Sequence, residues 1–153
     1  MAKGEMNYQL HRGDLPEGLL FGDAVAIDTE AMGLNPHRDR LCLVQLSHGN
    51  GDAHLVQFAP GCYDAPNLRR MLADPGIVKL FHFARFDVAM LYHYLGVMAR
   101  PLYCTKIASR LVRTFTDRHG LRDLCKDLLG VDLKKEQQSS DWGAATLSEE
   151  QLR

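Results

Sequence analysis

Two apolar runs, Leu41-Cys-Leu-Val-Gln-Leu-Ser47 and Ala53-His-Leu-Val-Gln-Phe58, flank His48-Gly-Asn-Gly51. An Asn-Gly pair supplies the positive φ angles of a tight hairpin, so the two runs are expected to pair as antiparallel strands. Further strands are expected at Ala24-Val-Ala-Ile-Asp28 and Ile77-Val-Lys-Leu-Phe-His82. A helix fits Pro66-Asn-Leu-Arg-Arg-Met-Leu-Ala73, stopped by Asp74-Pro75. Another follows the last strand, with Val88, Leu91 and Leu95 on one side and Gly96 behind it. In the second half Ile107 and Leu111 share a helical face, with Lys106, Arg110 and Arg113 on another. Leu121, Leu124, Cys125, Leu128 and Leu129 form a stripe closed by Gly130. An early hairpin, then helices and a further strand, describe an α/β domain whose mixed central sheet is flanked by helices.

Composition narrows the function classes. The chain has 153 residues, 46% of them hydrophobic, and its longest stretch without a charged residue is residues 88–99. That is far short of the ~18 apolar residues of a membrane helix. The start, Met1-Ala-Lys-Gly-Glu-Met6, has no apolar run of the signal-peptide kind, and a cytoplasmic location is expected. Cys42, Cys62, Cys104 and Cys125 show no C-x-x-C spacing and read as reduced, mostly buried thiols. The net charge of -1 is unevenly spread: residues 1–99 sum to -3 and residues 100–135 to +5. The basic third is either an anion-binding face or a solvated helix face.

The chemistry lies in the acids. Asp28-Thr-Glu30 ends a strand, and residues two apart on a strand point to one side, so the two carboxylates converge. Such a pair is either solvated or holds a cation, and oxygen ligands suit Mg²⁺ or Mn²⁺. Asp87, in His82-Phe-Ala-Arg-Phe-Asp87, sits where the next helix begins. It either complements the helix dipole or completes a three-carboxylate site.

Several segments carry a resemblance. Val25-Ala-Ile-Asp-Thr-Glu30, Gly33-Leu-Asn-Pro36 and Arg40-Leu-Cys-Leu-Val-Gln-Leu46 resemble the first motif of RNase D-like 3′→5′ exonucleases of the DEDD type that use a Tyr (DEDDy). Phe81-His-Phe-Ala-Arg-Phe-Asp87 resembles the second. His119-Gly-Leu-Arg-Asp-Leu124, Gln138-Ser-Ser-Asp-Trp142 and Leu147-Ser-Glu-Glu-Gln-Leu152 resemble the approach to the third. Pro36-His-Arg-Asp-Arg40, Cys104-Thr-Lys-Ile-Ala-Ser109 and Thr116-Asp-Arg-His-Gly120 look most like the short alphaproteobacterial nanoRNase C type.

The resemblance implies an RNase H-like 3′→5′ exonuclease domain over residues 5–153. The implied activity is two-metal-ion hydrolysis of very short RNAs, dinucleotides included. Alternatives are RNase D-like processing of RNA 3′ ends, single-stranded DNA hydrolysis, or a non-catalytic nucleic-acid-binding module. Carried over, Asp28 bridges two Mg²⁺ or Mn²⁺ ions, Glu30 ligates the nucleophile-side ion and Asp87 the other. A ring-like homo-oligomer is also implied. The family's fourth ligand and its water-orienting Tyr lie in a Tyr-x-x-x-Asp motif expected to begin just past Arg153. The capping box Ser148-Glu-Glu-Gln151 likewise opens a helix that the chain leaves after one turn, so the polypeptide is expected to continue.

Further substrate-binding candidates are Thr29, Met32, Gly33, Leu34, His82, Phe83 and Arg85. Leu34 is the choice for an apolar wedge against the terminal base, against ordinary packing. His82 either touches substrate or is structural, and Arg85 contacts phosphate or is solvated. Phe83 stands where many relatives have Asn and either stacks on a base or packs beside one. Lys106, Arg110 and Arg113 form a phosphate or subunit contact or a solvated face. Trp142 is expected to anchor on the core.

Overall fold

The computed structural model describes residues 7–133 and 140–152; the expectations for Met1–Met6, for Gln138-Ser139 and for Arg153 lie outside the described residues. The chain runs β1 (Asn7–Arg12), β2 (Ala24–Ala31), β3 (Leu41–Ser47), β4 (Asp52–Gln57), α1 (Pro66–Ala73), β5 (Val78–Phe81), α2 (Ala84–Leu95), β6 (Leu102–Cys104) and α3 (Thr105–Val112). Then come α4 (Leu121–Leu124), continued by a π-helical turn at Cys125–Leu129, and α5 (Glu149–Leu152). The six strands form one sheet in the order β1-β4-β3-β2-β5-β6. β2, β3 and β4 are antiparallel, while β1 joins β4, and β5 and β6 join β2, in parallel. The mixed sheet and the Asn50-Gly51 hairpin are as the sequence predicts. The edge strands β1 and β6 are additional, because the first is largely exposed and polar and the second only three residues long.

α1 and α2 cover one face of the sheet, around Val25, Ile27, Val44, Leu68, Leu72, Phe81, Met90 and Leu91. Truncating a leucine such as Leu68 to Ala there costs about 2–5 kcal/mol. Residues 140–152 cover the other face, where Trp142 and Leu147 pack on Cys42, Leu43 and Leu55; Trp142 is the anchor its size suggests. α1 starts at Pro66, whose fixed φ suits the first helical position, and Asp14 accepts the N–H groups of Asn67 and Leu68 from 53 and 54 residues upstream. Gly96 ends α2 in the left-handed conformation at φ 64°. Ser148 and Gln151 exchange both bonds of the capping box. All four cysteines are free thiols, with Cys62 exposed.

The apolar stripes of the second half are aligned but largely uncovered. The stripe from Leu121 to Leu129 buries only Leu124, and Ile107 and Leu111 of α3 stand exposed. Helical spacing aligns these side chains, but no described element lies over them. No helix among the described residues is long and apolar enough to cross a membrane.

Candidate functional site

β2 pairs with β5 only as far as Ala26, because β5 ends at Phe81 and the chain turns into α2. Beyond that point one edge of β2 is open, and Asp87 from the first turn of α2 fills it. The Asp87 carboxylate accepts the backbone N–H of Thr29 at 3.0 Å and its hydroxyl at 2.7 Å through the same oxygen. Asp28 and Glu30 leave the opposite face of β2; Asp28 is exposed and Glu30 accepts a 3.4 Å bond from Gln45. A register shift between Glu30 and Ala31 bends the strand beside the acids, as bulges next to sites do.

Asp87 is only 3% exposed. Burial pushes its pKa up to about 7, the Asp28 charge adds to the rise, and the Thr29 bonds oppose it. The Asp28 charge reaches the buried Asp87, and Glu30 leaves β2 on the same side as Asp28. Among the described residues no three His, Cys, Asp or Glu side chains form a ready cation cage. Like charges keep apart without a counter-ion, and Asp87 turns to Thr29 instead. The donor set is nonetheless all hard oxygen and fits Mg²⁺ or Mn²⁺, while the buried acid beside Asp28 is a group that a cation would relieve.

Beyond β2 the chain makes a loop to Arg40, closed by the Met32 N–H on the Arg40 carbonyl. Leu34 is 83% exposed at its tip, which removes ordinary packing as its explanation, and Met32 is exposed beside it. Gly33 is required sterically: a Cβ there would lie 2.3 Å from Asp39 Oδ2. Arg40 ties the loop base across the sheet, donating to the carbonyls of Phe58 and Gly143.

At the other side of Asp87, His82 Nδ1 lies 2.9 Å from Thr105 Oγ1, whose hydroxyl donates to the Phe81 carbonyl. Burial, then the nearby Lys106, lowers the His82 pKa. His82 is therefore held as a neutral, structurally engaged ring. Phe83 precedes α2 in the left-handed conformation (φ 66°, ψ 52°), the one non-glycine residue with positive φ among those described. Asn adopts that conformation at lower cost than an aromatic residue, so Phe83 holds it under strain. The Phe83 ring is half exposed, with Lys106 Nζ 4.6 Å from its centroid. Arg85 is exposed on the same turn.

Lys106, Arg110 and Arg113 do not share a face. Arg113 follows the last turn of α3, turns inward and bonds Asp127 and the Arg118 carbonyl. Arg118 and Arg122 pair with Asp123 and Asp132, so local acids neutralise much of the basic third. Gln45, Thr105 and Asp39 escape sequence reading, because only strand pairing and loop closure bring them to Glu30, to His82 and to the loop that carries Leu34.

An RNase H-like fold with a mixed six-stranded sheet and a buried acid at the edge of its central strand is that of 3′-5′ exonuclease domains. The family model described as 3′-5′ exonuclease matches residues 13–153, and the chain belongs to that family. The structure of Brucella melitensis NrnC bound to pGG is 55% identical, with a TM-score of 0.91 over 96% of this chain and 72% of that one. The same protein with bound Mg²⁺ is 54% identical, also at 0.91, with the same coverage. Ribonuclease D of Gluconacetobacter diazotrophicus is 37% identical over 128 residues, 84% of this chain and 32% of its own length. The chain thus spans about a third of the length of the curated relatives it matches.

Proposed function

We propose that the protein is a metal-dependent 3′→5′ exoribonuclease that degrades very short RNA oligonucleotides, including dinucleotides, through residues 5–153. The observation that carries this reading is the buried Asp87 beside Asp28 at the open edge of β2, with Leu34 exposed on the adjoining loop. The pGG and Mg²⁺ of the Brucella melitensis structures support the substrate and the cofactor.

In this reading Asp28 would be shared between two divalent ions, Glu30 would hold the nucleophile-side ion and Asp87 the leaving-group-side ion. Divalent ions there supply charge neutralisation at the phosphodiester and an activated water. Asp87 stays poised between protonated and ionised until it is engaged, and Thr29 fixes its carboxyl meanwhile. Leu34 presses on the terminal base, the Phe83 ring offers a stacking surface and Arg85 a charge for phosphate. Met32 and Gly33 shape the loop, and His82 stands between the end of β5 and the helix that carries Asp87. The exposed apolar side chains of α3 and the π turn support a homo-oligomer built through that face, working in the cytoplasm.

The test is hydrolysis of a labelled RNA dinucleotide by the full-length protein with Mg²⁺ or Mn²⁺. Asp28→Asn should reduce turnover to background with an unchanged circular dichroism spectrum, since it removes a bridging ligand and little packing. Near-normal turnover would overturn the reading. Preference for long RNA or single-stranded DNA over the dinucleotide would favour end processing or DNA hydrolysis instead. No Tyr-x-x-x-Asp spacing occurs in the 153 residues, so residues 1–153 alone should bind divalent metal weakly and hydrolyse nothing appreciable. A chain extended by about one helix is the comparison.

A further inference from the structure

Leu34 poses a problem of position. At 83% exposed it has no core packing to hold it, yet a wedge works only if its height and direction are fixed. The loop carrying it is organised from within chiefly by Asp39, with Asn35 Oδ1 accepting the His37 N–H at 3.0 Å. Asp39 is only 7% exposed. Its Oδ2 accepts the Asn35 N–H at 3.0 Å, its backbone N–H donates to the Asn35 carbonyl at 2.7 Å, and Arg38 grips both its oxygens at 2.7 and 2.9 Å. The same Oδ2 occupies the space that a side chain on Gly33 would need. The residues on both sides of Leu34 are therefore set by this carboxylate. A second anchor fixes the loop to the site, since Tyr94 of α2 donates to the Pro36 carbonyl at 2.7 Å, and α2 also carries Asp87.

We infer that Asp39 is a positioning residue for substrate specificity: its carboxylate holds the loop that aims Leu34 and thereby sets how tightly a short oligonucleotide binds. This rests on the wedge reading of Leu34 given above. A purely structural Asp39 would lower stability and leave KM alone.

The experiment is a double-mutant cycle in the full-length protein, with kcat and KM for a labelled RNA dinucleotide in Mg²⁺. Asp39→Asn should raise KM about tenfold while kcat stays within about twofold, the signature of a misplaced binding group. In a Leu34→Ala background the same substitution should change KM less than about twofold, because the side chain it aims is gone. Should Asp39→Asn fail to fold, Gly33→Ala displaces the same carboxylate from the other side and should show the same dependence on Leu34. Equal KM increases in both backgrounds, or a kcat loss as large as the KM gain, would overturn the role of Asp39. Wild-type KM in Leu34→Ala alone would overturn the wedge reading and the role of Asp39 with it.

Discussion

The open edge of β2 buries a carboxylate, whereas α3, the segment after it and the π turn expose apolar side chains: Asp87 is 3% exposed and Phe115, just past α3, 79%. Both arrangements cost free energy in an isolated chain, for opposite reasons. Asp87 loses hydration beside a like charge, which a proton or a cation offsets. Ile107, Leu111, Val112, Phe115, Leu128 and Leu129 keep apolar surface in water, which only another apolar surface offsets, at about 25 cal/mol per Å² covered. In the proposed function the first region takes an ion and the second a further copy of the chain.

The sharpest way to break this comparison is to put charge on the apolar face. Leu111→Glu with Phe115→Glu should abolish self-association in sedimentation velocity and leave a folded monomer with its β2 edge intact. An unchanged assembly, or a wild type already monomeric, would show that the face is not an interface between copies.

A smaller effect is expected at the acid. The folded pKa of Asp87 near 7 lies above the ordinary carboxylate value, so the folded state holds this proton more tightly than the unfolded chain. Its contribution to stability is complete below about pH 4 and is lost as pH rises through about 7, on the order of 2–4 kcal/mol across the window. Metal-free protein should therefore melt at lower temperature at pH 8 than at pH 5. Asp87→Asn keeps an acceptor for Thr29 and should flatten the trend. Mg²⁺ at a hundred times its Kd should restore about 2.7 kcal/mol at pH 8. A melting temperature indifferent to both pH and Mg²⁺ would remove the charge from the account.

The smallest effect belongs to Phe83. Phe83→Asn relieves about 1–2 kcal/mol of left-handed strain and gives up about 0.5–1 kcal/mol of contact with Lys106. Calorimetry should show a melting temperature raised by a few degrees at most, and fluorescence anisotropy a weaker grip on a labelled dinucleotide. Tighter binding by the Asn variant would show that the ring is not a stacking surface.

Much of the fold is legible residue by residue. Gly49 and Gly51 take the positive φ angles of the turn between β3 and β4 and Asn50 holds Asp52 through its side chain, Pro66 and Asp74-Pro75 bound α1, and Gly96 closes α2. These are local rules, and tertiary context does not overturn them. The edge strands were not legible, since exposed β1 lacks the apolar alternation of a half-buried strand. The exposed stripe of α3 and the π turn was legible as a pattern but not as a surface, because periodicity aligns side chains without saying what covers them.

The sequence by itself determined that Asp28 and Glu30 share one side of a strand and that Asp87 opens a helix. Backbone periodicity and cap chemistry, both local, are sufficient for that. Only the tertiary structure decided that β5 stops short of β2's acids and leaves Asp87 a place against Thr29, and that Asp39 closes the loop bearing Leu34. It also decided that Arg113 turns inward to Asp127. These depend on which strand ends first and which loop folds back, and desolvation at those meeting points sets the charge state of Asp87.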